Sequence, residues 1–192
     1  MIAIIKYNAG NIKSVENALL RLGYECIVTN KESEILRADK VIFPGVGEAS
    51  SAMKNLKEKN LDQIIPQLEQ PVLGICLGLQ LMCKHSEEGN TNGLGIFDTT
   101  VKKFQPKEIV PHMGWNNSSQ FKGELFQGIH SNSDFFFVHS YYAERCEETI
   151  GVCDYILPFS SALQKNNFYA VQFHPEKSAT VGAQLLKNFI TL

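Results

Sequence analysis

Two short stretches of this 192-residue chain hold the residue types of an activated thiol nucleophile: a cysteine in Gly74-Ile75-Cys76-Leu77-Gly78, and a histidine with a carboxylate in His174-Pro175-Glu176. A free thiol is mostly protonated at neutral pH, so it becomes an effective nucleophile when a base takes its proton and a third group orients that base. His174 and Glu176 are two apart, and Pro175 favours an extended conformation for His174, so both side chains are expected to leave one face. Glu176 can then fix the tautomer of His174 while His174 takes the proton of Cys76. Each signal has a plain structural explanation when taken alone: a core cysteine between two turn glycines, or an isolated His-x-Glu. Together they make a candidate triad.

The elements around these residues are what must bring them together. Val72 to Ile75 is a short apolar run of the buried-strand kind, and Leu77, Leu81 and Met82 follow at helical spacing, so the chain is expected to turn from strand to helix at Cys76. Glycines 74 and 78 remove side chains where such a turn crowds its neighbours, as in the Gly-x-Ser-x-Gly elbow of hydrolases. In that geometry the Leu77 N–H is one candidate donor to an oxyanion. Tyr169 to Phe173 reads as a second buried strand leading into His174, which would put both groups at the carboxyl edge of a parallel sheet, where open α/β sheets place their sites. Gln80 lies one helical turn past Cys76 on the same face, and Glu88 is expected at the end of that helical segment.

The rest of the first half supplies the frame. Ile2 to Ile5 is a first strand, Tyr7 to Asn11 a loop, and Ile12, Val15, Ala18, Leu19 and Leu22 the apolar face of a helix closed by Gly23. Cys26 to Val28 is a second strand, Ile35 and Leu36 mark a helical piece, and Val41 to Phe43 is a third strand halted by Pro44-Gly45-Val46-Gly47. A helix between Ala49 and Leu68 is expected to break near Asn60 and Pro66. Beyond Glu88 the alternation stops: Gly89 to Gly95 is turn-rich, and Val101 to Phe104, Glu108 to Pro111, Phe135 to Val138, Ile150 to Cys153 and Ser161 to Leu163 read as strands without intervening helices. A closing helix is expected to be capped by Ser178, with Val181, Leu185, Leu186, Phe189 and Ile190 on its stripe. The fold class is α/β, a flavodoxin-like open, mostly parallel sheet flanked by helices, with extra antiparallel strands in the C-terminal half.

Composition removes several functions. A 44% hydrophobic chain with a net charge of −2 fits one compact domain over residues 1–192, without the basic stripe of a nucleic-acid surface. No apolar run approaches the ~20 residues of a membrane span, and Met1 to Lys6 reads as a strand rather than a leader, so a soluble cytoplasmic protein is expected. The five cysteines (26, 76, 83, 146 and 153) include no C-x-x-C pair, so neither a disulfide framework nor a metal site is indicated, and the four other than Cys76 are expected to be buried free thiols. No cofactor-binding Gly-rich motif is present.

G-I-C-L-G-L-Q around Cys76, with V-Q-F-H-P-E-K-S around His174 and Glu176, resembles the class I, triad-type glutamine amidotransferases. P-G-V-G at Pro44 to Gly47, P-H-M-G-W-N at Pro111 to Asn116, F-V-H-S-Y at Phe137 to Tyr141 and the amino-terminal Asn-Ala-Gly-Asn narrow the likeness to the glutaminase subunits of imidazole glycerol phosphate synthases, over the whole length. The resemblance implies that Cys76 attacks the glutamine amide, that His174 protonates departing ammonia and activates water, and that Glu176 orients His174. It offers the backbone of Val46, between Gly45 and Gly47, as a second oxyanion donor, and it assigns Glu88 and Gln80 to the free amino acid, with the backbone of Ser140 and Tyr141. It also implies a (β/α)8-barrel cyclase that takes up the ammonia as the other half of a heterodimer, with Asn11, Met113, Trp115 and Asn116 as docking residues. Glu48-Ala49-Ser50 and Lys84-His85 depart from the pattern. A paralogue feeding ammonia to surface-sugar modification, or an idle regulatory subunit, therefore remains open on the sequence.

Overall fold

The computed structural model describes residues 1–8 and 10–192; Ala9, within the loop expected between Tyr7 and Asn11, lies outside the described residues. The first half runs β1 (Ile2–Ile5), α1 (Ile12–Arg21), β2 (Cys26–Thr29), α2 (Glu32–Leu36), β3 (Lys40–Gly45), α3 (Ala49–Glu58), α4 (Leu61–Ile64), β4 (Val72–Cys76) and α5 (Leu77–Met82). Then come β5 (Cys83–Ser86), β6 (Thr91–Asn92), β7 (Phe97–Lys103), β8 (His112–Ser119), β9 (Ser133–His139), β10 (Tyr141–Ala143), β11 (Thr149–Tyr155), β12 (Leu157–Lys165), β13 (Phe168–Val171) and α6 (Ala179–Thr191).

Five strands in the order β2-β1-β3-β4-β13 are parallel, and they carry the site. Both of their faces are covered. Ile2 and Ile4 of β1 face one core with α1 and α6 residues, whereas Ala3 and Ile5 face the other with α3 and α4 residues, the period-2 alternation of a strand buried on two sides. Each fully buried Ile or Leu here is worth roughly 1.5–3 kcal/mol. Beyond β13 the sheet continues through β12 in antiparallel fashion, and β11, β8 and β9 form an antiparallel arm off it.

Local chemistry explains where the elements end. Gly23 closes α1 at φ 84, and Asn60 separates α3 from α4 at φ 58, both in the left-handed region. Glu48, one of the departures from the family pattern, is the cap of α3: its carboxylate accepts from Ser50 and Ser51 N–H at 3.0 and 2.8 Å, and hydrogen bonds from those serines hold its pKa down at about 2. Lys84-His85 belongs to a strand the sequence did not show: α5 lasts six residues, and in β5 Cys83 and Ser86 are buried while Lys84 between them is exposed. Glu108 to Pro111 is not a strand; the strand starts at His112 and runs through Gly114-Trp115-Asn116 to Ser119. Ser178 stands at the start of α6 but its hydroxyl does not cap it, because that hydroxyl is committed to His174 and Phe136. All five thiols are free; Cys83 and Cys153 are buried as expected, but Cys26 and Cys146 are only partly so.

Candidate active site

Cys76 ends β4 with φ 55 and ψ −108, a conformation rare for a residue with a side chain, and α5 starts at the next position. The flanking glycines have steric reasons. A Cβ on Gly78 would lie 2.0 Å from the Phe43 carbonyl oxygen, and one on Gly74 would lie 2.7 Å from Met82 Sδ and 3.1 Å from the Gly78 carbonyl carbon. The helix therefore sits directly on β3 and β4, and the elbow holds the thiol at the sheet edge. In the β3–β4 register Gly45 lies opposite Cys76, so Val46 follows beside the nucleophile. Tyr7, fully buried, donates its hydroxyl to Pro44 O at 2.8 Å and pins the start of this loop, while a Cβ at Gly45 would overlap that same hydroxyl. Gly47 has φ 115, open to residues lacking a side chain.

His174 follows β13. Its N–H donates to Phe136 O at 2.8 Å, and its carbonyl accepts from Ser178 Oγ at 2.7 Å. Pro175–Lys177 is a single 3-10 turn, so Glu176 reaches His174 by a tight bend rather than along the extended backbone expected from sequence. His174 Nδ1 and Glu176 Oε1 are 2.8 Å apart, and Asn11 Nδ2 donates to the same carboxylate oxygen at 2.6 Å. The carboxylate can only accept, so Nδ1 carries a proton and Nε2 holds the lone pair in the neutral ring. Nε2 is buried without a hydrogen-bond partner. Burial by itself opposes the imidazolium, but the interactions with Cys76 and with the Glu176 carboxylate outweigh it and raise the His174 pKa well above its ordinary value. Thiol and imidazole thus interact without an aligned S–H···N bond; Gln172 Nε2 donates to Cys76 Sγ at 3.7 Å.

A cleft of about 360 Å³ opens over the thiol. It is lined by Val46, Gly47, Cys76, Leu77, Gln80 and Glu88 together with Pro111, Val138, His139, Ser140 and Tyr141. The oxyanion and glutamine-binding residues expected from sequence thus line one cleft with Cys76, Gly45 excepted, which precedes Val46, while His174 and Glu176 are buried and do not line it. Glu88 opens a 3-10 turn beyond β5 rather than ending α5, and there its Oε2 accepts from Ala49 N–H at 2.8 Å and burial raises its pKa. Gln80 is buried rather than solvated. Its amide donates to Tyr141 O and to Gln172 Oε1, both at 3.0 Å, which leaves its own carbonyl oxygen as the remaining acceptor.

The expected docking residues divide. Met113 and Trp115 are 70% and 56% exposed on β8, next to Ile109 at 83%, and Trp115 packs edge-on against Phe136. Asn11 instead turns inward to Glu176, and the Asn116 amide is held by His112 Nε2 at 3.1 Å and Asp154 O at 3.2 Å. Sequence reasoning missed Gln172, Tyr7, His139 and the Ser178 hydroxyl. For Gln172 a signal existed: it lies two before His174 at the end of a strand, hence on the same face. Among the described residues no group of three or more His, Cys, Asp or Glu is placed to hold a metal ion, and no helix is long and apolar enough to cross a membrane.

The sequence profile described as "Glutamine amidotransferase class-I" matches residues 3–192. The chain is 58% identical to the imidazole glycerol phosphate synthase subunit HisH of Bacteroides fragilis, over 100% of this chain and 99% of the relative, and 53% identical to that of Bacteroides thetaiotaomicron with the same coverage. Among solved structures, one titled as a glutamine amidotransferase superposes with a TM-score of 0.76 at 18% identity, covering 100% of this chain and 98% of the other.

Proposed function

Because the chain belongs to the class-I glutamine amidotransferase family, we propose that it hydrolyses glutamine to glutamate and ammonia for histidine biosynthesis, as one amidotransferase domain over residues 1–192 acting in the cytoplasm. His174 Nε2 takes the proton of Cys76, and the thiolate attacks the side-chain amide carbon. The resulting oxyanion meets the Leu77 and Val46 N–H groups, each worth on the order of 10²–10³ in rate when aimed at it. The imidazolium returns its proton to the amide nitrogen, the C–N bond breaks, and ammonia leaves a thioester on Cys76. Water then gives a proton to His174 and cleaves the thioester, releasing glutamate and the thiol. Glu176 keeps Nδ1 protonated throughout, and Asn11 holds Glu176. Glu88, Gln80 and the backbone at Ser140 and Tyr141 take the amino-acid end.

Ammonia set free in water is protonated and loses its lone pair, so this product is useful when it passes directly to an acceptor. The near relatives are named as subunits of a synthase. The acceptor we propose is a (β/α)8-barrel cyclase that releases imidazole glycerol phosphate and aminoimidazole carboxamide ribotide, docked in a heterodimer against Met113 and Trp115, with Asn11 and Asn116 at the margin. The single observation that carries the reading is the convergence of Cys76, the His174–Glu176 pair and a cleft lined by Gln80, Glu88 and Tyr141. Its test is glutamate release from glutamine, with and without the co-purifying barrel subunit, for wild type and Cys76→Ala. The partner should raise the wild-type rate, and the alanine variant should release none above background; hydrolysis surviving in Cys76→Ala overturns the mechanism.

A further inference from the structure

Two buried histidines lie outside the triad, and both ring nitrogens of each are engaged. His139 Nδ1 is 2.7 Å from Tyr141 O, His139 Nε2 is 3.0 Å from His112 Nδ1, and His112 Nε2 is 3.1 Å from Asn116 Nδ2. The direction of this chain follows from its ends. A backbone carbonyl only accepts, so His139 Nδ1 must donate to Tyr141. A neutral imidazole has one N–H, so His139 Nε2 accepts, His112 Nδ1 donates, and His112 Nε2 accepts from the Asn116 amide. Burial keeps both rings neutral, with pKa values pushed down to about 4 for His112 and about 3 for His139. His112 is stacked between Phe137 and Tyr155, with centroids 4.8 and 4.0 Å away, so it has little room to turn.

Tyr141 O is where this chain meets the cleft. The same oxygen accepts from Gln80 Nε2, whose amide also binds Gln172 Oε1, and Gln172 in turn donates to Cys76 Sγ. Two hydrogen-bond chains thus meet at this one acceptor, one donating inward from the half-exposed face of β8 and the other linking Gln80, through Gln172, to the nucleophile. We propose that His112 and His139 are positioning residues for glutamine, holding the Tyr141 carbonyl and Gln80 in place from the docking strand. This rests on the glutaminase reading and adds to it His112, which does not line the cleft, and His139, which lines it but makes no hydrogen bond to the triad. Two imidazoles inside a cage of Phe104, Phe137, Phe159 and Tyr155 are a poor choice for packing alone. A fully satisfied buried network instead fixes one geometry, and loss of a member leaves its partner unpaired.

The test uses the full chain and diazo-oxo-norleucine, a glutamine-like electrophile, with labelling of Cys76 followed by intact mass against reagent concentration. His139→Phe removes the donor to Tyr141 O, His139→Asn puts an amide N–H back at the Nδ1 position, and His112→Phe removes only the outer link. Loss of one buried hydrogen bond predicts that His139→Phe raises the half-saturating concentration about tenfold while the maximal labelling rate moves less than about threefold. His139→Asn should return the half-saturating concentration to within about threefold of wild type, with His112→Phe between the two. Equal shifts in the Phe and Asn variants, or a fall in maximal rate with half-saturation unmoved, overturn the proposal. Should thermal unfolding show that His139→Phe is not folded, the proposal stands or falls on His112→Phe against wild type. Wild-type chain left unlabelled at Cys76 sinks the glutaminase reading and this one together, whereas normal wild-type labelling with unresponsive variants sinks this one alone.

Discussion

Strands β3 and β4 shape the site by side chains that are missing, whereas β8 to β10 shape it by side chains that hold one another. On the parallel side, Gly74 and Gly78 let α5 lie against the sheet, and Gly45 leaves room for the Tyr7 hydroxyl; the tolerances are set by atomic overlap. On the antiparallel side the rim of the cleft is fixed by the His139–Tyr141 and Gln80–Tyr141 hydrogen bonds, and next to it two large apolar residues face outward. The contrast indicates how each part is fixed. Close packing sets the elbow, while hydrogen bonds set the rim, and their chain begins at Asn116 beside an open face, so a change at that face reaches the rim.

The sharpest way to break this contrast is at Gly78, where alanine would put a Cβ 2.0 Å from a backbone oxygen that has nowhere to go. Gly78→Ala should cost about 3 kcal/mol or more in denaturant unfolding and abolish glutamine hydrolysis. A Gly78→Ala chain of wild-type stability would show that the elbow is not sterically set. Glu176→Gln comes next, since it keeps the volume but removes the charge that helps to raise His174. Hydrolysis should fall by at least about 10²-fold, in the manner of other triads whose orienting carboxylate is neutralised. The pH dependence of stability should change too: with its folded pKa raised, His174 contributes stability that is full below its unfolded pKa and is lost as pH rises through the folded one. Stability measured from pH 6 upward should therefore depend less on pH in Glu176→Gln than in wild type. The smallest effect on the free chain is expected at Trp115, which is 56% exposed. Trp115→Ala should change its unfolding free energy by less than about 0.5 kcal/mol yet weaken partner binding by about 2 kcal/mol, read by calorimetric titration.

The same contrast governs what the sequence disclosed. The parallel strands read as continuous apolar runs because both faces are buried, and the elbow glycines mark their own constraint, so Cys76 and the ends of β3, β4 and β13 were legible. β8 was not, because its side chains alternate between interior and solvent: Met113 and Trp115 point out while His112 and Ser118 point in, and Gly114 and two asparagines look like turn signals. β5 was hidden by the apolar residues of α5 running directly into it. Asn11 and Asn116 were expected as docking residues, since nothing local indicates that one amide will meet Glu176, 165 positions away, and the other Asp154 O, 38 positions away, together with His112 of its own strand. Ser178 carries the ordinary mark of a helix cap, but tertiary partners claimed its hydroxyl.

Phe136 uses both of its backbone groups on the turn that bears His174: its carbonyl takes the His174 N–H, and its N–H goes to Ser178 Oγ, which also grips the His174 carbonyl. Trp115 sits opposite it in the sheet register. The imidazole is therefore hung from the strand adjoining the outer face, like a hook fixed through a thin wall. A hand laid on the outside is felt at the hook across the width of one strand, with no lever between them.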